Sequence, residues 1–199
     1  MIKSKKFINF GKPYIGNKET KFIQEVLKSK WIGTGPIVQK FEKNFSKYKK
    51  SKFSISVNSC TAALHLSIMT LGLKKGDEII TTPMTFCSTI NSILLAGGKP
   101  VLVDIRPDTL NLNEELIEKS ITKKTKFILP VHFAGMPCDM TKILKIAKKH
   151  NLKIIEDAAQ GLGVFHKKKH VGTISIVLVI MAGQFPQGPR LEPLGLLVR

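Results

Sequence analysis

Three short stretches carry side chains whose types and spacing could do chemistry together. In IIEDAAQGLG (154–163) two branched apolar residues run into Glu156 and Asp157, after which come only small residues, Gln160 and one Leu. A carboxylate at the end of a strand, with no bulk behind it, leaves room for a flat ligand. It can pair with a protonated ring nitrogen and keep it charged, while Gln160 can hydrogen-bond a ring substituent. A helix-capping Asp is an equally ordinary local reading. In SVNSCTAALHL (56–66) a strand gives way to a helix near Thr61. The unpaired N–H groups and dipole of such a helix start suit a phosphate, and Cys60, Thr61 and Ala62 are small enough to let one approach. A hydroxyl cap on a structural helix is the commoner use of this pattern. In TPMTFCSTI (82–90) Pro83 leads from a strand end into a helix, so Phe86 stands at the carboxyl edge of a sheet. Its face could stack on a planar ring; taken alone, a core Phe is the simpler reading.

The elements that must position these residues follow from apolar patterning. Strand candidates are 53–57, 78–82, 100–105, 126–131 and 153–156, recurring about every 25 residues, the rhythm of βαβ units. Several are apolar without alternation, as a parallel sheet covered on both faces requires. Helices are predicted over 61–71 and 85–96, each ending at Gly, over 113–121 behind an Asn cap, and over 139–150 behind an Asp cap with a basic end. Two more, 18–28 and 36–50, precede the first strand. The loop between them, SKWIGTGP, carries the only Trp, Trp31, read as a packing anchor. Residues 164–171, VFHKKKHV, read as a hairpin. The fold class is α/β: a mostly parallel sheet with helices on both faces.

A phosphate cradle, a stacking aromatic and an acid for a pyridine nitrogen, all placed after parallel strands, together describe pyridoxal 5'-phosphate. Several ordered stretches carry a resemblance: FGKPYIG, SKWIGTGPIVQKFEKNF, VNSCTAALHL, GDEIITTPMTF, AGGKPVLVDI, KTKFILPVHFAGMPCDM and IIEDAAQGLG. From about Ile8 to Ser175 the chain resembles the DegT/DnrJ/EryC1/StrS sugar aminotransferases. The resemblance implies the large domain of the aspartate-aminotransferase type I fold over residues 1–175, truncated, with the C-terminal small domain absent. It also implies that Cys60 and Thr61 hold the cofactor phosphate, Phe86 stacks on the ring, Asp157 pairs with the pyridine nitrogen and Gln160 contacts the phenolic oxygen. The implied reaction is amino transfer, typically from glutamate, to a nucleotide-linked keto-sugar, in a homodimer, for amino-sugar and polysaccharide synthesis.

One part is missing from this pattern. Amino transfer needs a lysine that forms a Schiff base with the cofactor and then moves the proton on the substrate carbon. The resemblance places it in MAGQFPQGP (181–189), and no Lys follows Lys169. No catalytic residue is therefore assigned, and the chain as written is expected to be inactive. Family members that use His in that role remove a sugar hydroxyl instead, yet no His follows His170. A non-catalytic binder of the cofactor or of a nucleotide sugar is the remaining alternative. The tail 176–199 changes character: it has no Lys, three Pro and two of the three Arg. Such a shift suggests a frameshift or a junction.

Composition narrows the partners. The 199 residues carry a formal net charge of +18, nearly all from lysines spread in pairs and triplets. Without an Arg-rich stripe or an aromatic-basic motif these read as solvated surface, so no nucleic-acid partner is expected. Cys60, Cys87 and Cys138 lack C-x-x-C spacing, which argues against a disulfide framework or a zinc site. The i, i+4 pair His166/His170 lies in a lysine-rich turn, and no metal is assigned to it. The basic N-terminus lacks the apolar stretch of a signal peptide, and the run 174–181 is far short of the ~20 residues that span a bilayer. A cytoplasmic protein with no membrane partner is expected.

Overall fold

The computed structural model describes residues 15–174 in full and, as backbone, two further strands at 177–182 and 194–198. In chain order the elements are α1 (Asn17–Ser29), α2 (Pro36–Lys49), β1 (Ser54–Val57), α3 (Cys60–Thr70), β2 (Glu78–Thr81), α4 (Cys87–Leu95), β3 (Lys99–Leu102), α5 (Glu114–Ile117), β4 (Thr125–Ile128), α6 (Met140–Lys149), β5 (Lys153–Asp157), a hairpin of β6 (Phe165–His166) and β7 (Lys169–His170), β8 (Val177–Ala182) and β9 (Leu194–Val198). Seven strands form one sheet in the order β1-β9-β8-β5-β4-β2-β3. The run β3-β2-β4-β5-β8 is parallel, and β9 is antiparallel to both of its neighbours. Two reversals restore direction, so β1 runs the same way as β5. The carboxyl ends of β1, β2 and β5 therefore share one edge of the sheet.

Pleat alternation sorts the apolar residues into two cores. Ile79, Phe127, Leu129 and Ile155 pack with Cys60, Ala63, Leu64 and Ile68 of α3 and Ile93 of α4 on one face. Their neighbours Ile80, Ile128 and Ile154 pack with Ile117 of α5 and Met140, Ile143 and Ala147 of α6 on the other. This is why the central strands β2, β4 and β5 read as apolar runs: each is buried on both faces, whereas β1 and β3 are only partly covered. It also fixes where the acids point. Asp157 lies two residues beyond Ile155 and shares the face of α3 and α4, whereas Glu156 shares the opposite face with Ile154.

Element ends depart from the sequence reading in physical ways. The second predicted helix starts at Cys87 rather than at residue 85, because Thr82 and Pro83 build a turn first. Thr82 Oγ1 accepts from Met84 N (3.2 Å) and Pro83 O from Thr85 N (3.0 Å). Phe86 is thereby left at the cap position instead of inside the helix. Behind Asn113 the α-helix runs only Glu114–Ile117 before tightening into a 3₁₀ turn at Glu118–Ser120. The hairpin turns through Lys167 and Lys168, both at positive φ (45° and 67°). It sets His166 and His170 on different strands, where His166 bonds Thr141 and His170 packs against Tyr48 and Phe165. Among the described residues no group of three His, Cys, Asp or Glu could hold a metal ion, and no helix is long and apolar enough to cross a membrane. Trp31 is 57% exposed; its indole lies over Gly35, where a Cβ would come within 2.5 Å, and its Nε1 donates to Thr34 O at 3.0 Å. It anchors its own loop rather than the core.

Two segments of the low-lysine tail supply β8 and β9, which lie between β5 and β1. The boundary expected at Ser175 falls outside the described residues, as do most of FGKPYIG and most of MAGQFPQGP.

Candidate cofactor site

The site begins with helix α3. Its cap, Ser59, is extended (φ −162°, ψ 156°) and accepts the Ala62 N–H on its hydroxyl at 3.1 Å, while its carbonyl takes the Ala63 N–H. The N–H groups of Cys60 and Thr61 come earlier in the helix and have no intrahelical acceptor. They face the sheet edge with the positive end of the helix dipole behind them. Burial and the nearby Asp157 charge both push the Cys60 thiol well above its ordinary range. Cys60 is thus a small, protonated, inert side chain rather than a nucleophile. Replacing Ser59 by Ala is expected to cost about 1 kcal/mol of stability through the lost cap; urea unfolding of the two proteins measures it.

Helix α4 brings the second group. Phe86 at its cap is 76% exposed, so its ring is a surface platform and not core packing. One turn on, the buried Thr89 hydroxyl donates to Asp157 Oδ2 at 2.9 Å. Ser92, a turn further, reaches the Thr61 carbonyl at 3.4 Å, tying α4 to the start of α3. Strand β5 then delivers Asp157, 4% exposed, whose Oδ1 accepts the Ala159 N–H at 3.2 Å. Burial raises its pKa, and the bonds from Thr89 and Ala159 oppose that rise only in part. Among the described residues no Lys or Arg contributes to its electrostatics. Of the charged groups among the described residues, only His132 acts to lower its pKa, and burial still prevails.

Gln160 lies on the turn after β5 and is exposed. Its Oε1 accepts the Ala134 N–H at 2.6 Å, which leaves the amide NH₂ as the end free for a ligand. Ala134 needs such a tether: it is held at φ 51° beside Gly135 at φ 80°, and the Ala134 backbone is strained there. The fold thus gathers Cys60, Thr61, Phe86 and Asp157 on adjoining elements at one sheet edge, with Gln160 three residues beyond the acid.

Four side chains were given no role by the sequence alone. Thr89 and Thr85 sit at helical spacing from each other around Phe86, a signal present in TPMTFCSTI that a search for ring-stacking residues passes over. His132 and Glu156 build the opposite face. His132 Nδ1 accepts the Cys138 N–H at 3.1 Å, so Nε2 bears the proton it shares with Glu156 Oε2 at 3.2 Å. Glu156 also accepts from Gly172 N (2.7 Å) and Ile174 N (3.1 Å), fixing the chain that leads into β8. A cleft of about 620 Å³ at the start of α6, lined by Arg106, Asn111, Glu114, Lys142 and His166 among others, lies away from Asp157. It is crossed by the Arg106–Glu114 (3.1 Å) and Lys142–Glu114 (2.8 Å) ion pairs.

The model of the DegT/DnrJ/EryC1/StrS aminotransferase family matches residues 13–180. The chain belongs to that family. It is 43% identical over 168 residues to the spore coat polysaccharide biosynthesis protein SpsC of Bacillus subtilis, covering 84% of this chain and 43% of that protein. An aminotransferase of Psychrobacter cryohalolentis superposes with a TM-score of 0.88 at 35% identity, over 94% of this chain and 48% of that one. A GDP-4-keto-6-deoxymannose-3-dehydratase with a trapped PLP-glutamate geminal diamine superposes equally well, TM-score 0.88 at 30% identity, over 94% and 50%. The chain therefore spans about half the length of these relatives, and their fold houses both aminotransferases and a dehydratase.

Proposed function

We propose that this chain is the cofactor-binding half of a pyridoxal phosphate-dependent aminotransferase that acts on a nucleotide-linked keto-sugar. The observation that carries the reading is Asp157, a buried carboxylate at the sheet edge with two neutral donors and no Lys or Arg beside it. A protonated pyridine nitrogen would supply the missing positive charge, so the residues fit the group. Cys60 and Thr61 would hold the phosphate through their free N–H groups and the Thr61 hydroxyl. Phe86 would cover one face of the ring and exclude water from it, and the Gln160 amide would donate to the ring oxygen. When bound, the cofactor supplies an electron sink for the substrate carbon, and Asp157 sustains it by keeping the ring nitrogen protonated.

The remaining roles follow from family and are part of the same proposal: glutamate as amino donor, a homodimer, and a cytoplasmic place in amino-sugar polymer synthesis, consistent with the polysaccharide role of SpsC. Turnover needs a lysine amine to move the substrate proton. None of the 199 residues beyond Lys169 is Lys, so we propose that this polypeptide binds cofactor without catalysing transfer. A dehydratase reading has the similarity to the sugar 3-dehydratase in its favour; it would need a late His, and none follows His170. Borohydride reduction of the chain mixed with pyridoxal phosphate, followed by peptide mass mapping, is expected to show no single stoichiometric lysine adduct. One such adduct would restore the chain as an enzyme.

A further inference from the structure

The Thr89 donor on Asp157 belongs to a hydroxyl relay that leads from the buried carboxylate to half-buried Thr85, beside Phe86. Thr85 Oγ1 and Thr89 Oγ1 are 2.7 Å apart, and Thr89 Oγ1 is 2.9 Å from Asp157 Oδ2. An ionised carboxylate only accepts, so Thr89 must spend its one proton on Oδ2. Its oxygen is then free to accept from Thr85. The direction of both bonds is set by the charge on Asp157. Thr89 is fully buried, whereas Thr85 is half-buried next to Phe86. With Ala159 N–H on Oδ1, each carboxylate oxygen has one fixed donor, which sets the plane of the group.

We propose that Thr89, polarised by Thr85, is a positioning residue that holds the Asp157 carboxylate in plane and charged for the cofactor nitrogen. This rests on the cofactor assignment above, but its first consequence concerns the free protein. Hydrogen bonds to the charged form are what oppose the desolvation of a buried acid. Chained hydroxyls strengthen one another, because a hydroxyl that accepts a bond donates better. The other groups that face Asp157 are the Cys60 thiol from α3 and His132 beyond β4; neither donates a hydrogen bond to the carboxylate. On α4 the relay is therefore the device that keeps the acid ionised.

The test uses the 199-residue chain, pyridoxamine phosphate (which needs no lysine bond) and calorimetric titration from pH 5 to 8. Thr89→Val keeps the shape and deletes the hydroxyl. It is expected to weaken binding about 10-fold at pH 7.5, the size of a hydrogen bond to a charged group. It should also move upward the pH below which binding fails. Thr89→Ser should restore both, and Thr85→Val should shift both in the same direction by less. Thr89→Val equal to wild type in affinity and in pH midpoint overturns the proposal, as does a loss that Thr89→Ser does not rescue. If Thr89→Val fails to fold, an unshifted Thr85→Val overturns it. Should wild type not bind pyridoxamine phosphate, the cofactor assignment fails, and melting of the free chains still decides the relay. Loss of the relay raises the Asp157 pKa further, so the melting-temperature deficit of Thr89→Val relative to wild type must widen from pH 4 to pH 7; a deficit that does not change with pH overturns the relay by itself.

Discussion

Replacing Asp157 by Asn is expected to stabilise the free chain and to weaken pyridoxamine phosphate binding about 100-fold. The second effect is the loss of one partner of a buried charge pair, which costs 2–5 kcal/mol in well-desolvated sites. The first has the opposite sign. Burial holds the Asp157 pKa above its ordinary value in the folded chain. The folded state therefore binds more protons than the unfolded one between those two values, and stability falls as pH rises through them. Asn has no such term. The melting-temperature gap between Asp157→Asn and wild type should thus be widest at neutral pH and close as pH drops below about 4, the ordinary aspartate range. Thr89 can still bond the amide, and Ala159 N–H can still reach its oxygen, so the fold has no other reason to change. Titration calorimetry and melts over pH 3–8 measure both arms. An affinity unaltered by the substitution would remove Asp157 from the site.

That Asp157 stands at the end of a buried strand was legible in the apolar run before it: Ile154 and Ile155 belong to opposite cores, and the acids after them inherit that alternation. The same reasoning could have separated Glu156 from Asp157 at the outset, since adjacent strand residues cannot share a face. The helix caps at Ser59, Asn113 and Asp139 were legible too, because a short polar side chain before an apolar run has few other uses. Phe86 was ambiguous for a physical reason. Its exposure depends on the turn that Thr82 and Pro83 make before α4, and a helix begun two residues earlier would have carried the ring elsewhere. The place of β1 was not legible at all. It is separated from β5 by β8 and β9, which follow it in the chain by more than a hundred residues, and hydrogen-bonded neighbours so remote leave no local pattern. Long-range pairing also hides the role of Lys49, which differs from Lys50 in nothing the sequence displays. One is buried and the other lies exposed at the αL cap of α2.

Lys49→Met is the second change with a large expected effect. Lys49 ends α2 at 1% exposure, with Nζ on the Val171 carbonyl at 3.2 Å and Glu156 near enough to feel its charge. Burial lowers its pKa from 10.5 to about 8, against the opposing pull of Glu156. The drop is worth about 3 kcal/mol. It is a cost carried by the charged amine at neutral pH. For a lowered lysine the unfolded chain binds more protons between pH 8 and 10.5, so this contribution to stability rises across that window and is flat below it. Overall charge falls in the same range, toward a pI of about 9.9, and relaxes general repulsion. Only the difference between wild type and the variant isolates Lys49. Met fills the same space without a charge and forgoes one carbonyl bond worth about 1 kcal/mol. Lys49→Met is therefore expected to be about 2 kcal/mol more stable at pH 7, an advantage that shrinks to nothing or reverses by pH 10.5. Urea unfolding at pH 7, 8.5 and 10 reads the trend. A destabilised variant at pH 7 would show instead that Glu156, and with it the Gly172–Ile174 segment leading into β8, needs the buried cation more than burial penalises it.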